Sequence, residues 1–281
     1  MTSSTITGFV YNTKQVDSKK MVEFLVTSLN LRTSSWISSA DDLAECQTQF
    51  EGTSVVVVAG GDGTILKTVK EIAPFGIPLV GVNMGRVGFM SELKVDEAHL
   101  KLSEYLDGSC RLETRMMLSV TVSSPENGII TSPVHALNDV VVARGQSVRL
   151  LDISTAVDGV PLTTYRADGV IVATPTGSTG YALSAGGSIL YPEANLIEVQ
   201  PIAAHTGLRE GVVLPADSQV ELSIQNNEDG VLSVDSHSEE FLSIGSTVVV
   251  EKSPYVAKFL RASDSSAFYS QVTRHLGLTD R

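Results

Sequence analysis

The chain has 281 residues, 42% hydrophobic and 19% charged, a balance that suits one large or two modest globular domains. A net charge of −12 and an isoelectric point near 4.8 argue against nucleic acid or an anionic membrane as a general partner. No apolar run approaches the roughly 20 residues of a membrane span. Residues 1–5 lack the basic-then-apolar pattern of a secretion signal, so a cytoplasmic location is expected. The two cysteines, Cys46 and Cys110, have no metal-like spacing and are expected as buried thiols in a reducing cytosol rather than as a disulfide. An anionic substrate would need a local basic site, for which Arg144, Arg149, Arg166 and Arg209 are candidates.

Residues 5–11 read as a first strand. Met21, Val22, Leu25, Val26 and Leu29 then mark one face of a helix that ends near Asn30. A short strand around Trp36 and Ile37 and a short helix after Asp41 follow. Residues 55–58 are four consecutive valines, the pattern of a strand buried on both faces. This strand breaks into Gly60-Gly61-Asp62-Gly63 and resumes as a helix, with Thr64 near its start and Ile65, Leu66, Val69 and Ile72 at helical spacing. Residues 78–83 read as another buried strand, and Ala98, Leu102, Tyr105 and Leu106 as a helix stopped by Gly108. This order predicts a Rossmann-like α/β domain with a parallel sheet and helices on its faces.

Past Arg111 the periodicity changes. Met116, Leu118, Val120 and Val122 alternate with polar residues, and Pro125-Glu126-Asn127-Gly128 is a hairpin signal. Further strands are expected at 134–143, 148–157, 160–166, 170–174, 219–224, 231–235 and 247–252, the texture of an all-β sandwich. Phe268, Val272 and Leu276, capped by Gly277, form a last helix that can pack back on the first domain. The expected division is therefore an α/β domain at 1–110, joined by 255–281, and a β-sandwich domain at 111–254.

Four polar clusters stand on this apolar scaffold. The Gly60-Gly61-Asp62-Gly63-Thr64 turn joins a buried strand to a helix N-terminus, which offers backbone N–H groups to phosphate. It matches neither the dinucleotide fingerprint nor the P-loop. Asp62 would repel phosphate, which suggests a base or a metal partner instead. The second cluster is Gly81-Val82-Asn83-Met84-Gly85-Arg86-Val87-Gly88-Phe89, at a strand end that faces the same crevice in a parallel sheet. Asn83 could orient a ligand or an active carboxylate there; the equal alternative is that Gly85 and Gly88 only shape a turn toward the next domain. In the third, Asn138 and Asp139 interrupt an apolar strand. Burying a carboxylate calls for a partner, which a ligand hydroxyl or amine would supply; the plainer alternative is an Asx turn. The fourth runs from Arg166 and Asp168 through Thr174, Thr176, Ser178, Thr179, Gly180, Tyr181, Ala182, Leu183 and Ser184. It is a hydroxyl- and glycine-rich loop suited to ribose or phosphate, with Tyr181 able to stack on a base. The five histidines are scattered and make no metal cluster, and no Gly-x-Ser-x-Gly elbow occurs.

Taken in order, these clusters resemble the NAD kinase family over about residues 55 to 250, most closely at Thr174-Pro175-Thr176-Gly177-Ser178-Thr179 and Ser184-Ala185-Gly186-Gly187. The resemblance implies transfer of a phosphoryl group from ATP or polyphosphate to the 2′-hydroxyl of the adenosine ribose of NAD. It also implies a divalent metal, usually Mg, a homodimer or homotetramer, and an α/β domain followed by a β-sandwich. By the same resemblance Asp62 is the base that takes the ribose proton and Gly63 lies against the dinucleotide. Asn138, Asp139, Asp168 and residues 179–184 contact NAD, and Lys67, Arg149 and Arg166 align with polar positions near the nucleotide. A carboxylate aligned on a weakly nucleophilic hydroxyl is sound chemistry for phosphoryl transfer. The chain departs from the common pattern in four places. Asp139 stands where Glu is frequent and Gly180 where Ala is usual. Asp235-Ser236-His237 replaces an Asp-Gly-Gln type run, and Gly207-Leu208-Arg209-Glu210 is atypical. The alternatives are a diacylglycerol- or sphingosine-type lipid kinase, which shares the glycine-rich loop, and a non-catalytic NAD-binding sensor, against which Asp62 argues.

Overall fold

The computed structural model describes residues 6–85, 88–125, 128–129, 132–226, 228–236 and 238–275. Thr5, Arg86, Val87, the hairpin tip at Glu126 and Asn127, His237, and the helix end at Leu276 and Gly277 lie outside the described residues. The chain forms two compact units, one reaching Thr114 and resuming at Ala257, the other Arg115–Val256.

In the first unit, strands β1 (Ile6–Tyr11), β2 (Ser35–Ser39), β3 (Thr53–Gly60) and β4 (Leu79–Asn83) pair in parallel in the order β4-β3-β1-β2. Their connections carry α1 (Val16–Ser28) and α2 (Asp62–Ile72); the short strand β5 (Leu93–Lys94) and α3 (Val95–Leu106) follow β4. Side chains alternate across the sheet. Val55, Val57 and Ala59 therefore join Phe9, Val80 and Val82 in one core with the apolar faces of α1 and α3. On the opposite face Val56 and Val58 are also fully buried. There Gly81 gives α2 access to the sheet: a Cβ at this position would lie 2.8 Å from Ile65 Cδ1. Burying one such valine is worth roughly 1.5–3 kcal/mol, and β3 can bury both faces because it lies inside the sheet, between β4 and β1. Gly60 lies opposite Asn83 in the parallel register, so the two loop-bearing strand ends are neighbours.

The second unit is built from β6 (Arg111–Ser124), β7 (Gly128–Ile129), β8 (Val134–Ala136), β9 (Asp139–Arg144), β10 (Leu151–Val157), β11 (Val160–Ala167) and β12 (Gly169–Ala173). After the short helix α4 (Tyr181–Ser184) come β13 (Leu196–Ile202), β14 (Val212–Pro215), β15 (Val220–Ile224), β16 (Gly230–Val234), β17 (Ser238–Leu242) and β18 (Thr247–Arg261). One antiparallel sheet runs β14-β13-β12-β9-β16-β17. Across a shared core lie β11-β10-β15-β18 and β6, with Leu118, Ile153, Tyr165 and Val250 meeting Val142, Val172 and Val199. This is a sandwich, as expected.

Some elements differ from the sequence reading. The strand expected at 134–143 is two strands, broken at Leu137 and Asn138. The strand expected at 247–252 continues through Pro254 to Arg261, and strands β13, β14 and β17 were not anticipated. Its last residues return to the first unit, where Phe259 pairs in parallel with Leu79. The last helix, α5 (Ala267–His275), belongs there too: the His275 ring stacks on Phe89 at 4.1 Å. Cys46 and Cys110 are free thiols, as expected, but only partly buried. Among the described residues no helix is long and apolar enough to cross a membrane.

Candidate active site

The Gly-rich turn is a strand end feeding directly into a helix. Gly61 is the N-cap of α2, in extended conformation, and no side chain caps this end. A helix N-terminus leaves its first N–H groups without helical partners and carries partial positive charge. A Cβ at Gly61 or Gly63 would meet nothing within 4 Å, so the turn leaves open space beside those donors. Gly60 is different, since a Cβ there would lie 2.4 Å from Oγ1 of the buried Thr64. Its small size is needed for packing.

Asp62 occupies the first helical position, where a carboxylate complements the dipole. Its carboxylate is held from the segment after β4. The Phe89 N–H donates to Oδ2 at 2.9 Å and the Met90 N–H to Oδ1 at 3.2 Å. Gly88 makes this approach possible, because a Cβ there would come within 2.1 Å of Oδ1. Asn83 is buried at the end of β4 and its Oδ1 accepts from the Gly85 N–H at 2.9 Å, which shapes the start of the same segment. The first two clusters thus meet at Asp62. Lys67, one turn further along α2, pairs with Asp41 and holds that carboxyl below its usual range, with a Thr13 hydroxyl bond contributing.

In the second unit the chain turns sharply before β9. The Asp235 carboxylate accepts three backbone N–H groups, from Leu137 at 2.7 Å, Asn138 at 2.7 Å and Asp139 at 3.1 Å. The local turn is therefore held by an acid from 96 or more positions away, rather than by an Asx turn of Asn138 or Asp139. Asp139 is 5% exposed. Burial, reinforced by the Asp235 charge, pushes its carboxyl up to about 7. The loop after β12 closes on this turn. Thr174 Oγ1 donates to the Leu137 carbonyl at 2.5 Å and the Thr174 N–H to the Asn138 carbonyl at 2.8 Å. Gly177 fits only as glycine, since a Cβ would lie 2.1 Å from the Asn138 carbonyl oxygen. Gly180 follows, with its notional Cβ 3.9 Å from Asp139 Oδ2. The third and fourth clusters thus form one assembly. Within it Asn138 Oδ1 and Thr176 Oγ1 are buried without a hydrogen-bond partner among the described residues, as polar groups awaiting a ligand would be.

The other expected residues of the loop serve different ends. Ser178 Oγ, buried, donates to the Pro175 carbonyl and accepts from the Leu190 N–H, while Thr179 Oγ1 donates to the Thr176 carbonyl. Ala182 is buried against Ile171 and Ala173, Leu183 is half-buried and Ser184 exposed. Tyr181 is 46% exposed and lines a cleft of about 410 Å³ with Val141, Arg144, Ser233, Ser236 and Phe241.

Asp168 does not stand free: Arg144 Nε donates to its Oδ1 at 2.7 Å. Arg149 pairs with Glu228 at 3.1 Å and Arg166 with Asp152 at 3.9 Å. Three of the four arginines expected to supply a local basic site are thus already faced by carboxylates. The sequence places Phe89 in the second cluster but does not announce the backbone N–H bonds that it and Met90 give to Asp62, since a backbone contribution leaves no residue-type signal. Nor does it announce Arg144 as the partner of Asp168. Asp235 was noticed only as part of a motif; its left-handed φ of 49°, followed by Ser236 at 58°, is the tight turn that an Asp-Ser pair between two strands can announce.

Comparisons with known proteins cover both units. The model of the ATP-NAD kinase N-terminal domain matches residues 8–110, and that of the ATP-NAD kinase C-terminal domain matches residues 137–262. An NAD kinase of Dehalococcoides mccartyi is 36% identical over 241 residues, covering 86% of this chain and 84% of the relative. One from Magnetococcus marinus is 38% identical over 219 residues, covering 78% and 72%. Among solved structures, yeast NADH kinase complexed with NADH superposes with a TM-score of 0.86 at 25% identity, covering 99% of this chain and 89% of that one. An Archaeoglobus fulgidus NAD kinase in complex with ATP shares the fold, with a TM-score of 0.74 at 23% identity over 98% of this chain and 100% of that one.

Proposed function

This chain belongs to the NAD kinase family, and we propose that it transfers a phosphoryl group from ATP, or from polyphosphate, to the 2′-hydroxyl of the adenosine ribose of NAD, giving NADP. The observation that carries the mechanism is the Asp62 carboxylate, fixed by the Phe89 and Met90 N–H groups at an uncapped helix start with open space at Gly61 and Gly63. Asp62 is the general base. It accepts the ribose proton as the hydroxyl oxygen attacks phosphorus, and its two backbone bonds hold it in one orientation for that transfer. The N–H groups of Asp62 and Gly63, with Gly60, Gly61 and Thr64 shaping the turn, receive phosphate oxygens. Asn83 fixes the segment that carries Phe89.

Asn138, Asp139, Asp168, Arg166, Arg149, Lys67 and residues 179–184 bind the dinucleotide. The orphaned Asn138 Oδ1 and Thr176 Oγ1, and the exposed Tyr181 ring beside a cleft, support that assignment. Among the described residues no three His, Cys, Asp or Glu side chains lie together to hold the divalent metal that the family resemblance implies. The proposal extends to a cytoplasmic homodimer or homotetramer of this chain. A lipid kinase is not favoured by the comparisons.

The direct test is Asp62→Asn, which keeps the shape and removes the proton acceptor. Turnover is expected to fall about 10²- to 10⁴-fold, the usual contribution of a positioned acid or base, while the NAD dissociation constant measured by calorimetry stays within a few-fold. Unchanged turnover would remove Asp62 from the mechanism.

A further inference from the structure

The segment that holds Asp62 is itself held by a buried guanidinium. Arg261, the last residue of β18, is 5% exposed. Its Nη1 donates to the Met90 carbonyl at 3.0 Å and to Glu92 Oε2 at 3.1 Å. Its Nη2 and Nε donate to Glu113 Oε1 at 3.2 and 3.3 Å. Glu92 is fixed in turn, accepting from the Ala262 N–H at 3.0 Å and the Tyr105 hydroxyl at 3.2 Å. Met90 is therefore gripped at both ends, with its carbonyl on Arg261 and its N–H on Asp62.

Burying an arginine between two carboxylates costs desolvation and is a poor device for stability alone. What it supplies is direction. The guanidinium is a rigid planar fork, so two carboxylates that fix its plane also fix where Nη1 points. Here that is the Met90 carbonyl. We propose that Arg261 is a positioning residue for Asp62, acting through Met90 to hold the carboxylate on the substrate hydroxyl. This rests on the assignment of Asp62 as the base. Glu92 and Glu113 aim Arg261, and none of the three needs to touch a substrate.

A double-mutant cycle tests it, read as kcat and KM for NAD with folding checked by thermal melting. Arg261→Lys keeps the charge between the two carboxylates but loses the fork. It is expected to lower kcat roughly tenfold to a hundredfold, the size of effect that a misplacement of about 1 Å has on a reacting group, with KM for NAD little changed. In an Asp62→Asn background the same substitution is expected to lower the residual turnover no further. If Arg261→Lys does not fold, Glu92→Gln replaces it, with the same cancellation expected and at least a threefold loss in the otherwise wild-type chain. Equal loss in both backgrounds, or undiminished kcat, would overturn the positioning role while leaving Asp62 as the base. Full turnover in Asp62→Asn alone would overturn both.

Discussion

Asp139 has 5% of its surface exposed and faces the charge of Asp235, whose carboxylate is occupied by three N–H groups. Burial and that charge hold its carboxyl at about 7 against an ordinary 3.8. Between those values the folded chain keeps a proton that the unfolded chain releases, so stability falls as pH rises from about 4 to about 7. The slope is at most about 1.4 kcal/mol per pH unit. Asp139→Asn removes the group that titrates. Its melting temperature is therefore expected to decline less than that of the wild type between pH 5 and pH 7.5; parallel curves would show that Asp139 is not the titrating group. Asp62, Asn138 and Asp139 were legible in the sequence, because a carboxylate in a glycine turn and an acid in an apolar strand are chemically conspicuous. The partners of Asp139 and Asp168 were not. Asp235 is 96 positions from Asp139 and Arg144 is 24 from Asp168, and no local pattern announces such pairings.

The valine strand, its turn and helix, and the hydroxyl loop were each legible, because period and glycine placement are local properties. Strand β13 was not. Ile197-Glu198-Val199-Gln200 does alternate apolar and polar residues, but the run is short and Pro201 weakens the signal. Glu198 and Gln200, on the face away from the sandwich core, are both almost fully buried. A Cβ at Gly187 or Gly211 would crowd Glu198 Oε1 or Gln200 Oε1 to 2.8 and 2.3 Å, so these glycines admit the polar pair. Burial raises the Glu198 carboxyl. The same kind of close approach gives a test at the active-site segment. Gly88→Ala puts a methyl group 2.1 Å from Asp62 Oδ1, and the carboxylate, rather than the backbone, must give way. At least about a tenfold drop in kcat is expected from such a displacement, with little change in melting temperature. Wild-type kcat in this variant would mean that the Phe89–Met90 cradle does not set the position of Asp62.

Taken whole, the chain carries a net charge of −12, yet the proposed substrates are anions. Arg144, Arg149 and Arg166 each face a carboxylate that offsets part of their charge. In the proposed mechanism the backbone N–H groups at the start of α2 receive the phosphate without adding charge to the surface, and Gly61 and Gly63 leave open space beside them. The division of labour follows from the fold. A parallel sheet delivers strand ends and helix N-termini to one edge, and a sandwich rigidly displays loops such as the one after β12. The central claim is the identity of the acceptor hydroxyl. The most direct measurement is incubation of the purified protein with ATP and NAD, and separately with ATP and a diacylglycerol or sphingosine emulsion, with the products resolved by mass spectrometry and phosphorus NMR. The account predicts NAD phosphorylated at the 2′-hydroxyl of the adenosine ribose and no phosphorylated lipid. Phosphorylated lipid without NADP, or phosphate on any other hydroxyl of NAD, would contradict it.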